Sequence, residues 1–551
     1  MRSTAVARGV VFQVAAKFSG LPLSIITLSV VTNYLGQGGY DVLAAAVVFA
    51  GAFEALTELG IGTIVVRRVA GRGEDLESLV AMNIGFSTIY ALPLAALVAG
   101  AGFVIYSGDP VAQAATAIIA AGLAATTVSN TFEPVFDVRV RYSSAASAEF
   151  LSYVITLGAA LGIAHFDLGL LAMCVVQILP QCLRLGIQWW GASRLIRISW
   201  KPSFSGSLGL LREALPITII SIIGVAYWRA DGLVLTALGG PGEIGAYYLA
   251  LRIAFTLSQI SKVFERSVLS TVNEAFAENR ERFAEAIDRG YRFLILIGLP
   301  VAALGWALSD RIVALVGNED FVPTTGPVLA LFFVAVAMTF LSAIVSDGLI
   351  AADEGRYLTT MSTINLGINI VGNIILVPHL GAVACAIMLI VTETIGVAAS
   401  QWRLRRWGVH AIPLGYIARL LPAAALALGA IELTSSLPLI VPLVLGGVAY
   451  LGGALLMGAI PPALRNALIG ALRPQSLDRM EADHADRADG AAAREVDDAL
   501  DAPTTVIPAL WPRSMAGTLD APTTELNAAL LETMRMRALQ TKYVDLEIRR
   551  P

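Results

Sequence analysis

Ionisable side chains stand inside stretches of this sequence that are otherwise apolar. Arg252 lies about ten residues, or about 15 Å of helix, into one of these stretches. Arg229 and Asp231 lie in the stretch before it, and Glu393 lies about twelve residues into a later one. Charged groups this deep in an apolar helix either face a polar cavity or pair with one another. In a cavity, an arginine can hold a pyrophosphate by two parallel hydrogen bonds, and a glutamate can exchange a proton.

Each of these residues also has a simpler structural interpretation. Arg252 can form an ion pair with Asp231 on the adjacent helix. Arg229 and Asp231 lie closer to the outer end of their stretch, where the sequence favours an interfacial pair. Glu393 can pair with a neighbouring helix instead of coupling to protons.

A second set of polar residues recurs at helical spacing. Lys17 lies about two turns into the first apolar stretch, where it can face the cavity or extend to the membrane surface. Its candidate partners are Glu54 and Glu58, whose spacing of four predicts one shared helix face. Three asparagines repeat at the same spacing: Asn365, Asn369 and Asn373. Such a stripe favours hydrogen bonds between helices over contact with a bound ligand.

The sequence contains no motif that is typical of an enzyme. It lacks the Gly-rich loop with Lys-Ser/Thr of nucleotide-binding proteins, the HExxH pair of metalloproteases and any Cys/His cluster. Cys174, Cys182 and Cys385 lie in apolar stretches without metal-ligand spacing. We therefore predict a protein that is not an enzyme, with no cofactor, no metal site and no nucleic-acid partner.

The composition is that of a membrane protein. Hydrophobic residues make up 56% of the chain and charged residues 15%, against roughly 45–50% and 25% in soluble domains. Apolar runs of about twenty residues predict an all-α polytopic fold with about fourteen transmembrane helices. The predicted spans are residues 9–31, 42–66, 79–106, 112–136, 145–164, 167–190, 213–238, 242–263, 289–307, 325–347, 357–378, 381–401, 412–433 and 437–459.

Lys and Arg concentrate in alternate loops of this topology, with an exception at Arg311. Because cytoplasmic loops carry the excess of Lys and Arg, we predict a multi-pass protein of the cytoplasmic membrane with both termini in the cytoplasm. The polar stretch 262–292 predicts a cytoplasmic, amphipathic extension.

Two stretches share a pattern of Leu-Gly, a Gly-rich turn, a Tyr and an apolar run: Asn33–Phe49 and Trp228–Ile253. Copies about two hundred residues apart predict two parallel repeats of six spans. The expected domains are an N-terminal lobe (1–200), a C-terminal lobe (201–408), two additional spans (409–465) and a cytoplasmic tail (466–551). The polar tail is predicted to be mostly disordered, with a candidate helix at 525–548.

Five segments carry a family resemblance: LGQGGYDVLAAA (35–46), LTELGIGTIVVRRVA (56–70), FEPVFDVRVRY (132–142), DGLVLTALGGPGEIGAYYLALRI (231–253) and INLGINIVGNIILVPHLGAVACAIMLIVTE (364–393). In order and spacing they resemble the lipopolysaccharide/polysaccharide (oligosaccharide) flippases of the multidrug/oligosaccharidyl-lipid/polysaccharide transporter superfamily. The resemblance covers nearly all of the membrane part and excludes the tail.

This resemblance implies two six-helix lobes around a central cavity that opens alternately to each side of the membrane. It also implies a lipid-linked oligosaccharide as substrate, with membrane lipids as further partners, for polysaccharide biosynthesis at the cell surface. A basic cavity residue such as Arg252 suits the pyrophosphate of that substrate. Two alternatives stay open: a cation-coupled drug antiporter of the same superfamily, and a non-transporting scaffold that acts through its tail.

The tail contains the hexamer LDAPTT twice, at residues 500–505 and 519–524. Its threonines are candidate phosphorylation sites: Thr504, Thr505, Thr523 and Thr524. A phosphate would add about −1.5 to −2 charge, which an Arg-lined domain of a cytoplasmic partner could recognise. The alternative is an accidental duplication in a solvated tail.

We expect phosphopeptide mass spectrometry of the native protein to find a modified threonine in these hexamers. Deletion of residues 474–551 should change regulation but leave the membrane part folded, because the tail contributes no span. Complete coverage of both hexamers without a modified threonine under any growth condition would contradict the phosphorylation hypothesis.

Overall fold

The computed structural model describes residues 2–139, 143–200, 204–409 and 412–460. Within these ranges it describes only the backbone of residues 2–19, 143–150, 204–205, 220, 257–268 and 270. The side chain of Lys17 and the whole tail, with its four candidate threonines, therefore lie outside the described residues.

All regular secondary structure in the described part of the chain is helical. The α-helices are α1 (Arg2–Gly51), α2 (Ile61–Arg72), α3 (Leu76–Ile105), α4 (Pro110–Asn130), α5 (Glu133–Arg139), α6 (Ser143–His165), α7 (Gly169–Ser193), α8 (Phe204–Leu238), α9 (Glu243–Glu278), α10 (Arg280–Val316), α11 (Val322–Ala351), α12 (Gly355–Leu380), α13 (Ala382–Leu404), α14 (Leu414–Leu433) and α15 (Ile440–Leu456). Short 3₁₀ turns lie at Glu54–Thr57, Glu319–Phe321 and Arg405–Trp407.

Each of the predicted spans corresponds to a helical segment, so the prediction of an all-α polytopic membrane fold is confirmed. α1 supplies the first span and the beginning of the second, which continues through a 3₁₀ turn into α2, and α4 with α5 supplies the fourth. Among the described residues, nine segments are long and apolar enough to cross a membrane by these criteria alone. α6 and α15 contribute shorter apolar segments, Leu151–His165 and Ile440–Leu456.

α1 is a helical hairpin that reverses at Gly36. This residue has φ 64° and ψ −178°, a conformation that is essentially limited to glycine. Before it, the Tyr34 hydroxyl accepts a hydrogen bond from the backbone N–H of Gly169 at the start of α7 (2.7 Å). After Gly36, Asp41 contacts the start of α9, and Gly51 contacts Arg229 in α8. The Gly-rich turn of the sequence is thus the connection between the first two spans.

The helices pack as two groups, which are the two six-span lobes of the predicted fold. In the first lobe, α1 packs on α4 and α6, and α7 packs on both of those helices. In the second lobe, α11 packs against α9, α10 and α13, and α12 lies against α8 and α13. α14 and α15 form a pair on α10, where the Tyr450 hydroxyl donates to Leu296 O (3.1 Å). The domain limits at 200, 408 and 465 remain predictions.

Side chains that are typical of helix starts mark several helix boundaries. Asp75 accepts a hydrogen bond from Ser78 N (2.9 Å) before α3, and Asp109 accepts two at the start of α4, where Pro110 follows. Asn279 separates α9 from α10 and accepts from Arg282 N (2.8 Å). The polar stretch 262–292 is therefore helical on both sides of this cap, while its cytoplasmic location stays a prediction.

Large apolar side chains remain exposed on the outside of many helices, among them Leu92 (71%), Val104 (76%) and Leu433 (87%). A bilayer accommodates such surfaces, whereas water would not. Inside, small residues allow close helix contact. Gly305 of α10 is one of them, because a Cβ atom there would overlap the ring of Phe333 on α11.

We therefore expect Gly305→Ala to lower the melting temperature in detergent, by a loss of about 1–3 kcal/mol from overpacking. Gly100→Ala is the matched control, since Gly100 also lies inside a helix but has nothing within 4 Å of its Cβ position. The control should be neutral or slightly stabilising, because alanine favours the helix. Equal melting of the two variants would show that α10 and α11 do not meet at Gly305.

Candidate functional site

The two lobes meet along α1 and α2 of the first lobe and α8, α9 and α10 of the second. We call the end of the bundle that carries Arg67 and Arg68 the basic end. The opposite end carries Gly36 and the turn at Gly242. Polar contacts join the lobes at the basic end, at the opposite end and midway between them.

At the basic end, Glu213 of α8 is hydrogen-bonded to two arginines of α2, and a third, Arg72, lies within ion-pair distance (3.7 Å). Arg68 donates to Glu213 Oε2 from Nη2 (2.6 Å) and from Nε (2.9 Å), and Arg67 donates to Oε1. Thr218 adds a hydrogen bond to Leu59 O (2.7 Å). Glu213 lies at the level of Arg67 and Arg68, which follow the second predicted span at the basic end. Burial raises the pKa of Glu213, but the hydrogen bonds and charges of the two arginines outweigh it, so the pKa lies below its usual value.

At the opposite end, Asp41 of the first lobe caps the start of α9 in the second. Its carboxylate accepts hydrogen bonds from Gly242 N (3.2 Å) and Gly245 N (2.7 Å). A Cβ at Gly245 would lie 3.1 Å from the Asp41 Cα, so this approach requires glycine or a shift of the backbone. Thr32 adds a hydrogen bond to Val316 O at the end of α10 (2.8 Å). The two repeated sequence stretches therefore contact each other directly.

Two arginines of the second lobe lie at the same level, midway between these ends. Arg229 is nine residues from the end of α8 (229 to 238), and Arg252 is nine residues from the start of α9 (243 to 252). Both are about 14 Å from the opposite end at 1.5 Å per residue. Arg229 pairs with Glu54 of the first lobe at 2.9 Å (Nη2 to Oε2). This pair joins the lobes midway along the bundle, and Arg229 therefore does not form the interfacial ion pair with Asp231 that the sequence favoured.

Arg252 lies between the lobes in a different environment. Its side chain is exposed, and among the described residues no carboxylate lies within ion-pair distance of it. The tyrosines close enough to interact with its charge come from both lobes: Tyr248 from α9, Tyr40 from α1 and Tyr153 from α6. The guanidinium carbon lies 6.0 Å from the centre of the Tyr248 ring. Tyr40 is 1% exposed, and its hydroxyl has no hydrogen-bond partner within the described part of the chain.

Two acidic residues within the spans of the second lobe, Glu393 and Asp231, are buried inside that lobe. Glu393 is 5% exposed and accepts a hydrogen bond from the Tyr227 hydroxyl (3.0 Å), with a further one from Ser342. Asp231 is also 5% exposed; it accepts from Gly232 N (2.9 Å) and from Tyr247. Asp231 is therefore hydrogen-bonded to a tyrosine of α9, and it forms no ion pair with Arg252.

The asparagine stripe of α12 is fully buried in the same lobe. Asn365 donates to Thr392 O on α13 (3.0 Å), beside Glu393, and Asn373 donates to Asn369 Oδ1 (3.0 Å). The Oδ1 atoms of Asn365 and Asn373 lack a hydrogen-bond donor within the described residues. In that same part of the chain, no cluster of three His, Cys, Asp or Glu residues is arranged to hold a metal ion.

The structure corrects the prediction that Glu54 and Glu58 share one helix face. Glu54 begins a 3₁₀ turn, and Leu59 and Gly60 then adopt positive φ values of 50° and 62°. The chain therefore breaks between the two halves of the second span. Glu54 extends to Arg229, whereas the exposed Glu58 lies beside Gly62.

Sequence reasoning missed Asp41, Glu213 and the tyrosines around Arg252. Asp41 carried a signal, because it follows a Gly-rich turn where a carboxylate often caps a helix. Glu213 carried none, since its partners Arg67 and Arg68 are remote in the chain.

Comparison with known proteins adds to this geometry. The family described as polysaccharide biosynthesis protein matches residues 31–324. The lipid II flippase MurJ, in an inward closed conformation, is similar in structure with a TM-score of 0.68 and 14% identity, over 81% of this chain and 98% of MurJ. An inward-facing multidrug resistance MATE family transporter of the MOP superfamily gives 0.56 and 14%, over 73% and 99%. No curated protein sequence matches the chain.

The contact at Glu213 predicts a pH-dependent stability. A carboxylate whose pKa is lowered in the folded state stabilises the protein above its unfolded pKa of about 4.3 and ceases to do so as the pH falls through the folded value. Glu213→Gln should therefore melt at a lower temperature than the wild type at pH 7, by about 1–2 kcal/mol. The difference should narrow below about pH 4. A difference that is constant from pH 7 to pH 3.5 would show that the charge of Glu213 is not the cause.

Proposed function

Because the chain belongs to the polysaccharide biosynthesis protein family, we propose that it is a flippase for a polyprenyl-diphosphate-linked oligosaccharide. It carries this lipid-linked substrate across the cytoplasmic membrane by alternating access of its two lobes. The observation that carries the proposal is the exposed Arg252, midway through the bundle, between the lobes and without a carboxylate partner among the described residues. The concentration of Lys and Arg at one end supports a cytoplasmic location for that end and for both termini.

A pyrophosphate cannot enter hydrocarbon unless its charge is compensated. Arg252 offers a planar guanidinium that can bind two phosphate oxygens at once. Arg229 is already neutralised by Glu54, so it is the weaker candidate for the primary contact. The polyprenyl chain of the substrate stays in the lipid, and only the polar head group has to cross between the lobes.

The contacts at the two ends suit alternating access. Opening the basic end requires that Glu213 leave Arg67 and Arg68, and opening the other end requires that Asp41 leave the start of α9. Both sets consist of a few hydrogen bonds that water can replace. Separation of the lobes at the opposite end would expose the Tyr40 hydroxyl, next to Asp41 and near Arg252, as a further donor for the substrate.

A drug/cation antiporter would favour acidic groups facing the space between the lobes. In this chain Asp231 and Glu393 are buried within one lobe and hydrogen-bonded there. The exposed Glu54 at mid-depth is neutralised by Arg229, whereas the exposed Arg252 has no carboxylate partner among the described residues. The geometry therefore supports an anionic head group over a cationic drug. Glu393 is left as a candidate for ion coupling rather than substrate binding.

Arg252→Ala should abolish glycan export while the protein remains folded in the membrane. Arg252→Lys should restore export only in part, because an ammonium lacks the bidentate geometry of a guanidinium. The assay is complementation of a flippase-deficient strain, with membrane abundance measured in parallel. Arg289→Ala is the control, because Arg289 is 70% exposed and its ion-pair partner, Glu285, lies on the same helix. Normal export by Arg252→Ala would remove this residue from the substrate path.

Glu393→Gln tests the coupling of transport to protons. If Glu393 carries the proton, the transport rate of the variant should no longer depend on the proton gradient. Each charge that crosses the membrane contributes roughly 2.3 kcal/mol per 100 mV of membrane potential. Tyr227→Phe, which keeps the carboxyl group but removes its hydrogen-bond donor, should retain the dependence. Proteoliposomes with and without an imposed gradient provide the measurement. An unchanged dependence in Glu393→Gln would assign coupling elsewhere.

A further inference from the structure

A pocket of about 260 Å³ lies at the basic end between α10 and α14, away from the interface of the two lobes. It is lined by Arg292 of α10 and by Pro413, Gly415, Tyr416 and Arg419 at the start of α14. This volume is many times the ~30 Å³ share of one water molecule, so a phosphate group fits in it. Nothing in the flippase mechanism uses these residues.

The pocket carries a net positive charge. Arg419 is exposed, and the described residues place no carboxylate within ion-pair distance of it. The Nε of Arg292 donates a hydrogen bond to Asp288 Oδ2 (2.7 Å), one turn earlier on α10. The two other guanidinium nitrogens of Arg292 do not bind this oxygen. Among the described residues, no side chain caps the start of α14, where the helix dipole also favours an anion.

A buried tyrosine forms a fixed base for the pocket. Tyr416 is 6% exposed, and its hydroxyl donates to Ala459 O, just beyond α15 (2.8 Å). The Arg292 guanidinium carbon lies 5.6 Å from the centre of the Tyr416 ring. Because α15 is itself bound to α10 through Tyr450, three helices hold the two arginines in position. The site is thus assembled before any ligand arrives.

The surface around the pocket shows where it lies relative to the membrane. On the same helix as Arg419, Leu414 is 70% exposed and Leu421 is 54% exposed. Apolar side chains that are this exposed contact lipid, and an arginine among them lies at the level of the lipid head groups. A pocket for a free anion of the cytosol would not need an apolar border.

From the two arginines, the pocket and its apolar border, we propose that this site binds the phosphate of an anionic phospholipid. Basic pockets between helices on the cytoplasmic side suit such head groups, and the bilayer supplies them at high local concentration. Bound there, the lipid connects α14 to α10 and so holds the two additional helices against the second lobe. This proposal does not depend on the transported substrate.

Native mass spectrometry of the full-length protein in detergent tests the site. The probes are phosphatidylglycerol and phosphatidylcholine with the same acyl chains. Phosphatidylglycerol should bind the wild type and Arg289→Gln equally, and the double variant Arg292→Gln/Arg419→Gln roughly tenfold or more weakly, as expected for two basic residues at an anionic surface. The phosphatidylglycerol affinity of Arg419→Lys, which keeps the charge, should lie between those of the wild type and the double variant. Phosphatidylcholine should bind all variants alike and weakly.

Equal phosphatidylglycerol binding by the double variant and the wild type would overturn the proposal, as would phosphatidylcholine binding as tight as that of phosphatidylglycerol. Displacement of phosphatidylglycerol by millimolar inorganic phosphate would also overturn it, because the site would then belong to a free anion. If the double variant melts at a lower temperature than the wild type, phosphatidylglycerol binding is compared between the wild type and Arg419→Gln alone, since Arg419 forms no ion pair with the described residues.

Discussion

A charge at the depth of the lipid hydrocarbon has to be paired, hydrogen-bonded or in contact with water, and this constraint explains the arrangement of the bundle. Arg229 is paired with Glu54 of the other lobe. Glu393 and Asp231 are buried and hydrogen-bonded to tyrosines of their own lobe. Arg252 has no carboxylate partner among the described residues, and of these four residues it is the one that is exposed between the lobes. The charge left without a protein partner thus lies where a substrate would pass.

The same constraint shapes the contact between the lobes. Polar contacts at both ends and one ion pair in the middle join the first lobe to the second. Between these polar contacts the helices pack through small residues: Gly51 contacts the guanidinium group of Arg229, and Gly232 contacts Val48. Small residues let the backbones approach closely while burying little side-chain area. An interface of this kind is held by contacts that can be exchanged for water or for a ligand, which is what two lobes that separate alternately require.

The repeat in the sequence acquires a physical meaning in the structure. The Gly-rich turns of the two copies lie at the same end of the bundle. There, Asp41 of the first copy caps the start of α9, which belongs to the second copy. Glu243, at the start of α9, in turn accepts a hydrogen bond from Ala382 N at the start of α13 (2.7 Å). A carboxylate near a helix start is favoured by the helix dipole and by the free N–H groups there. One carboxylate cap follows another from the first lobe into the second.

The all-helical class and the order of the apolar helices follow from the sequence alone, because the length of an apolar run and the bilayer thickness leave few alternatives. The Gly-rich turn between the first two spans also follows from residues that are close in the chain. The partners of the charges, in contrast, depend on the tertiary structure. Arg229 pairs with Glu54 and not with Asp231, and Glu54 and Glu58 diverge because the chain breaks at Leu59 and Gly60. The partner of a side chain depends on the rotation and packing of helices that are remote in sequence, and the apolar pattern of a single helix does not contain that information.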